Sequence, residues 1–254
     1  MSDPVVRVDN IRKRYGRLVA VDGVSFDVQR GEIFGLIGPN GAGKTTTLEC
    51  VEGVRLPDAG TIAVLGMDPN RDRRALQRRI GVQLQAAQLQ KRITVREAVD
   101  FWRSLYDNPV DGAVLLDQLG LAAKRDAWFM TLSGGQRQRL FVALALVNDP
   151  EVVFLDELTT GLDPQARRAI WALVRGIRAR GKTVVLTTHS MEEAERLCDR
   201  VAIIDHGRIV EIDSPEALVT RHFPAGRIAI SETKWLPPTL EDVFLKVTGD
   251  AMRD

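Results

Sequence analysis

Short apolar runs alternate along this chain with longer stretches of mixed polarity, and the two kinds repeat differently. Residues 5–11 and 19–28 alternate apolar and polar positions with a period of two, which predicts half-buried antiparallel strands. Residues 33–37, 152–155, 183–187 and 201–204 are instead nearly continuous apolar runs rich in β-branched side chains, as in strands covered on both faces. Helices are predicted over 44–52, 95–106, 113–119, 135–147, 165–180 and 191–197. Asp163-Pro164 supplies a start signal, an N-cap acid followed by a proline whose fixed φ suits the first turn, and Gly181 the matching stop. No strand signal occurs between about residues 85 and 148, so a helical block over about 86–148 is expected as an insertion in an α/β frame. That frame is expected to span residues 1–213. A short extension over 214–254 follows, where the pattern weakens before a terminal helix at 239–247.

Composition narrows the class. The 254 residues are 44% hydrophobic and 27% charged, as in an ordinary globular protein, so disordered and fibrous classes are excluded. Lys and Arg total 35 against 34 Asp and Glu, a net charge of +1, and the chain carries none of the basic excess of a nucleic-acid binder. Cys50 and Cys198 lack a CxxC metal pattern and read as packing residues in a reducing compartment. The longest apolar run, residues 140–147, falls far short of the roughly 18 residues that cross a bilayer. The first residues show no basic-then-apolar leader, so the chain is expected on the cytoplasmic side, with any membrane-spanning part supplied by another protein.

Candidate chemistry begins directly after the run at 33–37. Gly38-Pro39-Asn40-Gly41-Ala42-Gly43-Lys44-Thr45 satisfies GxxxxGK[ST] between an expected strand and an expected helix. Glycines let backbone N–H groups approach an anion, and the helix N-terminus adds partial positive charge. Lys44 suits β- and γ-phosphate oxygens, Thr45 a Mg²⁺ ion, and Thr46 a further phosphate contact. Asp156 and Glu157 close the run at 152–155, the strand end at which an open α/β sheet presents ligands. Asp156 suits Mg²⁺, and Glu157 is placed to act as general base toward water.

Three more motifs choose among nucleotide-hydrolysing classes. Leu132-Ser133-Gly134-Gly135-Gln136 stands with its serine 23 residues before Asp156, Thr187-Thr188-His189-Ser190 follows the carboxylates, and Gln85 ends the run beginning at Gly81. With these, residues 5 to 212 resemble the ATP-binding subunits of ABC transporters. The resemblance implies an α/β fold: a P-loop ATPase core with an N-terminal antiparallel β-subdomain and an inserted helical subdomain. It implies that Tyr15 stacks on adenine, that Gln85 touches Mg²⁺ or the attacking water beside the transporter contact surface, that Asp163 lies at a dimer interface, and that His189 holds the γ-phosphate. It further implies that Ser133, Gly134, Gly135 and Gln136 serve nucleotide held by a second subunit, so that a homodimer sandwiches two ATP and drives a separate membrane permease. His206 and His222 match nothing and are expected at the surface.

The pattern departs from the family in places. Leu158 replaces the usual proline after the catalytic glutamate, Leu84 a frequent proline before Gln85, and Val142-Ala-Leu-Ala-Leu146 lacks the arginine of the common ARAL stretch, which is expected to alter a helix-surface or interface contact. The segment Pro238-Thr-Leu-Glu-Asp-Val-Phe-Leu245 resembles the tail motif of the drug and antibiotic exporter branch, implying export of such cargo. Import, lipid or polysaccharide export, and a soluble non-transport ATPase are the alternatives. The missing NKxD motif sets a GTPase aside.

Overall fold

The computed structural model describes residues 3–83, 88–226, 228–231 and 234–249. The two period-two stretches form β1 (Val6–Tyr15) and β2 (Leu18–Val28), joined by a tight turn at Gly16 and paired antiparallel from Val6↔Val28 to Tyr15↔Leu18. β3 (Ile33–Ile37) runs into the glycine-rich loop and α1 (Lys44–Val51). β4 (Ala59–Val64) pairs with the other edge of β1, completing a three-stranded antiparallel sheet in the order β2-β1-β4. α2 (Arg73–Gln77) and β5 (Ile80–Gln83) follow. Next come α3 (Val95–Arg103), α4 (Gly112–Gln118), short 3₁₀ turns at Ala122–Lys124 and Phe129–Thr131, and α5 (Gly134–Leu146). The chain then alternates β6 (Val152–Asp156), α6 (Pro164–Ala179), β7 (Thr183–Thr188), α7 (Met191–Leu197) and β8 (Arg200–Asp205). It ends with β9 (Arg208–Asp213), α8 (Pro215–His222), a hairpin of β10 (Ile228–Ser231) and β11 (Lys234–Leu236), and α9 (Leu240–Thr248).

A six-stranded sheet in the order β5-β6-β7-β3-β8-β9 organises the molecule, parallel except for β9. The continuous apolar runs of its strands have a direct cause: successive side chains enter two different cores. Phe34, Leu36, Phe154, Val185 and Ile204 face the antiparallel sheet and α1, whereas Ile33, Ile37, Leu155, Leu186 and Ile203 face the helical side. Phe26 of β2 stacks on Phe34 of β3 at 5.2 Å between centroids, tying the two sheets together. Each such fully buried side chain contributes roughly 1.5–3 kcal/mol. Gly35 keeps this packing close, because a Cβ there would sit 2.7 Å from Cys198 Sγ. α9 joins the helical-side core through Leu240, Val243 and Phe244, with Leu218 of α8 in the same cluster.

The expected fold class holds, with helices and one isolated β-bridge, Thr94 to Trp128, between β5 and β6 among the described residues of that stretch. Three expectations need revision. The helix begun at Val95 ends at Arg103 rather than 106, because the next N–H groups of Leu105 and Tyr106 bond three residues back, to Trp102 and Arg103. The stretch without the arginine, Val142 to Leu146, is buried throughout and belongs to the core rather than to a helix surface. Leu158, which stands where relatives have proline, is buried at 3% exposure. His206 is exposed as expected, but His222 is not a free surface residue: it is partly buried, with Nε2 2.8 Å from Glu211 Oε1. No helix of the described residues is long and apolar enough to cross a membrane.

Candidate functional site

The loop after β3 owes its path to close backbone approaches. A Cβ on Gly38 would lie 2.1 Å from the Ile204 carbonyl oxygen, and one on Gly43 would lie 2.3 Å from that of Ala20. Gly43 also takes the left-handed conformation, φ 102, as the N-cap of α1. The loop is thus wedged between β8 and β2, and Lys44 opens the helix. Its ammonium is only 4% exposed and donates to the carbonyls of Gly38 and Pro39, both at 2.9 Å. Burial lowers the Lys44 pKa, partly offset by Glu157 and Asp156.

Facing the loop, the C-terminal end of β6 carries the acids, beside Thr187 at the end of β7. Asp156 Oδ1 accepts from Thr45 Oγ1 at 3.3 Å and from Thr187 Oγ1. Burial raises the Asp156 pKa against these two hydrogen bonds. Glu157 takes a left-handed φ of 47, uncommon for a residue with a side chain, and its N–H reaches Thr187 Oγ1 at 3.1 Å. That turn brings Glu157 Oε1 to 3.6 Å from Lys44 Nζ and 3.6 Å from His189 Nδ1. Thr160 donates to Glu157 Oε2 at 3.3 Å.

A cleft of about 300 Å³ opens here, lined by Tyr15, Asn40, Gly41, Lys44, Thr45 and Glu157 among others. Tyr15 is 40% exposed, and Arg55 lies over its ring at 5.1 Å. The cleft therefore joins an aromatic face, an anion cradle and the Glu157 carboxylate, with Asp156 reached through Thr45. Thr45 and Asp156 fit Mg²⁺, a hard ion that takes few protein oxygens and completes its shell with phosphate and water. Among the described residues no cluster of three or more His, Cys, Asp or Glu could hold a metal ion.

Ser133, Gly134, Gly135, Gln136 and Asp163 do not line this cleft. Ser133 caps α5 by a reciprocal arrangement: its Oγ accepts from Gln136 N–H at 3.3 Å, and Gln136 Oε1 accepts from Ser133 N–H at 3.0 Å. The serine is exposed and keeps its own O–H proton free to donate. Gly135 is explained by packing, since a Cβ there would sit 3.0 Å from Ala166 Cβ. Asp163 caps α6, accepting from the N–H groups of Gln165 and Ala166 at 2.9 Å each. Gln85, with Leu84, lies outside the described residues.

Sequence reasoning passed over Thr187 and Gln83. Thr187 hydrogen-bonds both the Asp156 carboxylate and the Glu157 backbone, and Gln83 Oε1 accepts from Asp156 N–H at 3.2 Å. Each is a buried polar residue at the C-terminal end of an otherwise apolar strand, and that position was the available signal.

Residues 21–160 match the family model described as ABC transporter, more than half of the chain. The chain belongs to the ABC transporter family. It is an ATPase coupled to transport. This ABC protein is 48% identical to a "Nod factor export ATP-binding protein I" of Ralstonia nicotianae, over 100% of this chain and 96% of the relative. A protein of the same description from Burkholderia lata is 47% identical, over 94% of this chain and 80% of its own length. Among solved structures, one described as an ATP-binding subunit of an ABC transporter superposes with a TM-score of 0.80 at 25% identity, covering 96% of this chain and 99% of its own. Another, cbiO1 from Clostridium perfringens, described as part of an ABC transporter complex, gives 0.77 at 27% identity, covering 88% of this chain and 96% of its own.

Proposed function

We propose that this ABC ATPase works as a homodimer, binding two ATP with Mg²⁺ between its subunits, and powers export through a separate membrane permease at the cytoplasmic face of the membrane. The observation that carries the reading is the division of donors within one chain. The cleft is lined by Lys44, Thr45, Glu157 and Tyr15, with Asp156 hydrogen-bonded to Thr45, while the exposed Ser133 cap at the N-terminus of α5 belongs to a different surface. A second copy, turned head to tail, sets its cap over the first copy's cleft and completes it, and symmetry gives two such sites.

The roles follow from the chemistry of each group. Backbone N–H groups of residues 41–45 and the Lys44 ammonium bind phosphate oxygens, and Tyr15 offers its ring to the base. Thr45 and Asp156 would hold Mg²⁺, which supplies charge neutralisation at the phosphates. Glu157 accepts a proton from the attacking water, and His189, beside it, donates to the γ-phosphate. Gln85 is assigned to the same water or metal and to the permease contact surface. Asp163 holds the start of α6 beside the Ser133 cap, since Leu162 approaches Gly134 and Ala166 approaches Gly135. Most of the rate gain comes from positioning and fixed charge.

Export as the direction is supported by the names of the relatives and, separately, by the tail motif at Pro238 to Leu245. The tail motif favours drug- or antibiotic-like cargo, and the relatives are named for Nod factor, so the common ground is export and the permease sets the cargo. The test is light scattering on purified Glu157→Gln protein with and without Mg-ATP. A dimer retaining two nucleotides is expected, and a persistent monomer overturns the reading.

A further inference from the structure

Tyr15 forms the last pair of the β1–β2 hairpin, Tyr15↔Leu18, just before the turn at Gly16. Its side chain is 40% exposed there. Holding an exposed ring in one orientation costs side-chain entropy, which some contact must offset.

That contact comes from the connection between α1 and β4. Arg55 Cζ lies over the Tyr15 ring, 5.1 Å from its centroid. Glu49 fixes the arginine twice: Arg55 Nε donates to Glu49 Oε2 at 2.6 Å, and the Arg55 N–H to the Glu49 carbonyl at 3.0 Å. Three residues on, Asp58 fastens the same connection to β1. Its N–H donates to the Arg12 carbonyl at 2.8 Å, and its carboxylate accepts from Lys13 Nζ and from the Arg14 N–H, each at 2.7 Å. Arg55 therefore reaches Tyr15 from a segment held at both ends.

Arg55 does not line the nucleotide cleft, whereas Tyr15 and Thr46 do, so the guanidinium covers the ring away from the cleft. Glu49 lies three residues beyond Thr46, on the same face of α1. The contacts Tyr15–Arg55–Glu49 thus join the ring to the helix that Lys44 opens. Beside Tyr15 the cleft is lined by Leu18, Val19 and Ala20, whose side chains offer no hydrogen bond. A base at this place is held by its face rather than by side-chain bonds to its edge, so the setting of the ring decides how well it is held.

We infer that Arg55 is a positioning residue for base binding: it backs the Tyr15 ring and, through Glu49, ties that ring to α1, so that the aromatic platform and the phosphate loop keep one spacing. The inference rests on the stacking role proposed for Tyr15 and adds what holds the ring. A platform set before the nucleotide arrives spares the complex the cost of ordering it on binding.

Calorimetric titration of the full chain with Mg-ATP, and with inorganic tripolyphosphate as a ligand that lacks the base, tests this. Arg55→Met keeps side-chain length without charge. It should lower ATP affinity about two- to fivefold, the worth of a cation–π contact at an exposed site, and leave tripolyphosphate affinity at the wild-type value. Arg55→Lys should keep more of the ATP affinity than Arg55→Met, and Glu49→Gln should give a smaller loss of the same kind. In a Tyr15→Leu background Arg55→Met should have no further effect, because the ring it acts through is gone. Three results overturn the inference: ATP binding by Arg55→Met equal to wild type, an equal loss for ATP and tripolyphosphate, or a loss that persists without the ring. If instead Tyr15→Leu alone binds ATP as tightly as wild type, the stacking reading itself falls and this inference with it.

Discussion

Lys44 and Glu157, far apart along the chain, meet with Nζ 3.6 Å from Oε1 and with side chains only 4% and 7% exposed. His189 Nδ1 lies 3.6 Å from the same Glu157 oxygen. The ammonium assigned to phosphate and the carboxylate assigned to water therefore share one contact. Under the proposed roles, a phosphate oxygen arriving at Lys44 competes with Glu157 for the ammonium, and the carboxylate it releases is the one proposed to take a proton. The proposed roles link binding and activation through that exchange.

Glu157→Gln removes the proton acceptor while keeping shape and a donor to the γ-phosphate side. ATP hydrolysis should fall by about 10²–10⁴-fold, the usual worth of a general base, with ATP binding retained. Phosphate-release kinetics alongside equilibrium nucleotide binding check this, and unchanged turnover removes Glu157 from the role.

Lys44→Ala deletes the buried cation that faces both acids. ATP affinity should drop about ten- to hundredfold, the value of charge-assisted hydrogen bonds. The same change leaves Glu157 and Asp156 buried near each other without their cation, so the variant should also melt earlier than wild type. Calorimetric titration and thermal melting read the two effects separately.

Strands β3, β6, β7 and β8 of the central sheet and the phosphate loop were legible because each obeys a short local rule. Ile33 to Ile37 must be apolar on both faces, and Gly38 and Gly43 must lack a Cβ. β4 and β9 were not legible: Ala59, Gly60 and Thr61 are exposed, and β9 is only partly buried, so neither carries a full apolar period. β5 spans only Ile80–Gln83, too short for periodicity to register, and its neighbour Gln85 was found by motif rather than by pattern. Lys44, Asp156 and Glu157 stood out by spacing. Thr187, Gln83 and Glu52 did not, because what distinguishes them is burial and the partners that the fold brings or withholds, and these depend on contacts distant along the chain.

Glu52 gives a pH dependence with a defined sign. Burial, the largest cause, and the nearby acids Asp156 and Glu49 raise its pKa from 4.5 to about 9. Between those values the folded chain holds a proton that the unfolded chain has lost, so this contribution to stability is complete below 4.5 and disappears as the pH rises through about 9. Glu52→Gln is neutral at every pH. Its melting temperature should gain on wild type steadily from pH 5 to pH 9, and a constant difference across that range contradicts the buried-acid assignment.

The exposed Ser133 cap allows a test of reciprocal completion that a loss of activity alone does not provide. Ser133→Arg keeps the phosphate loop of its own chain but should spoil the site it covers on the partner. Lys44→Ala does the reverse, keeping the cap and losing the loop. Each variant alone should be inactive, because every site in its homodimer contains one damaged half. Mixed, half of the randomly assembled dimers pair an intact loop from the first variant with an intact cap from the second, giving one complete site of two. Hydrolysis should return to about a quarter of the wild-type rate in an equimolar mixture, as twofold symmetry requires if the sites turn over independently. A mixture as inactive as its components, with subunit exchange confirmed, means either that cap and loop serve the same chain's nucleotide or that one site cannot turn over without the other. Measuring whether the mixed dimer still holds one ATP in its intact pairing separates these, since only a shared site retains it there.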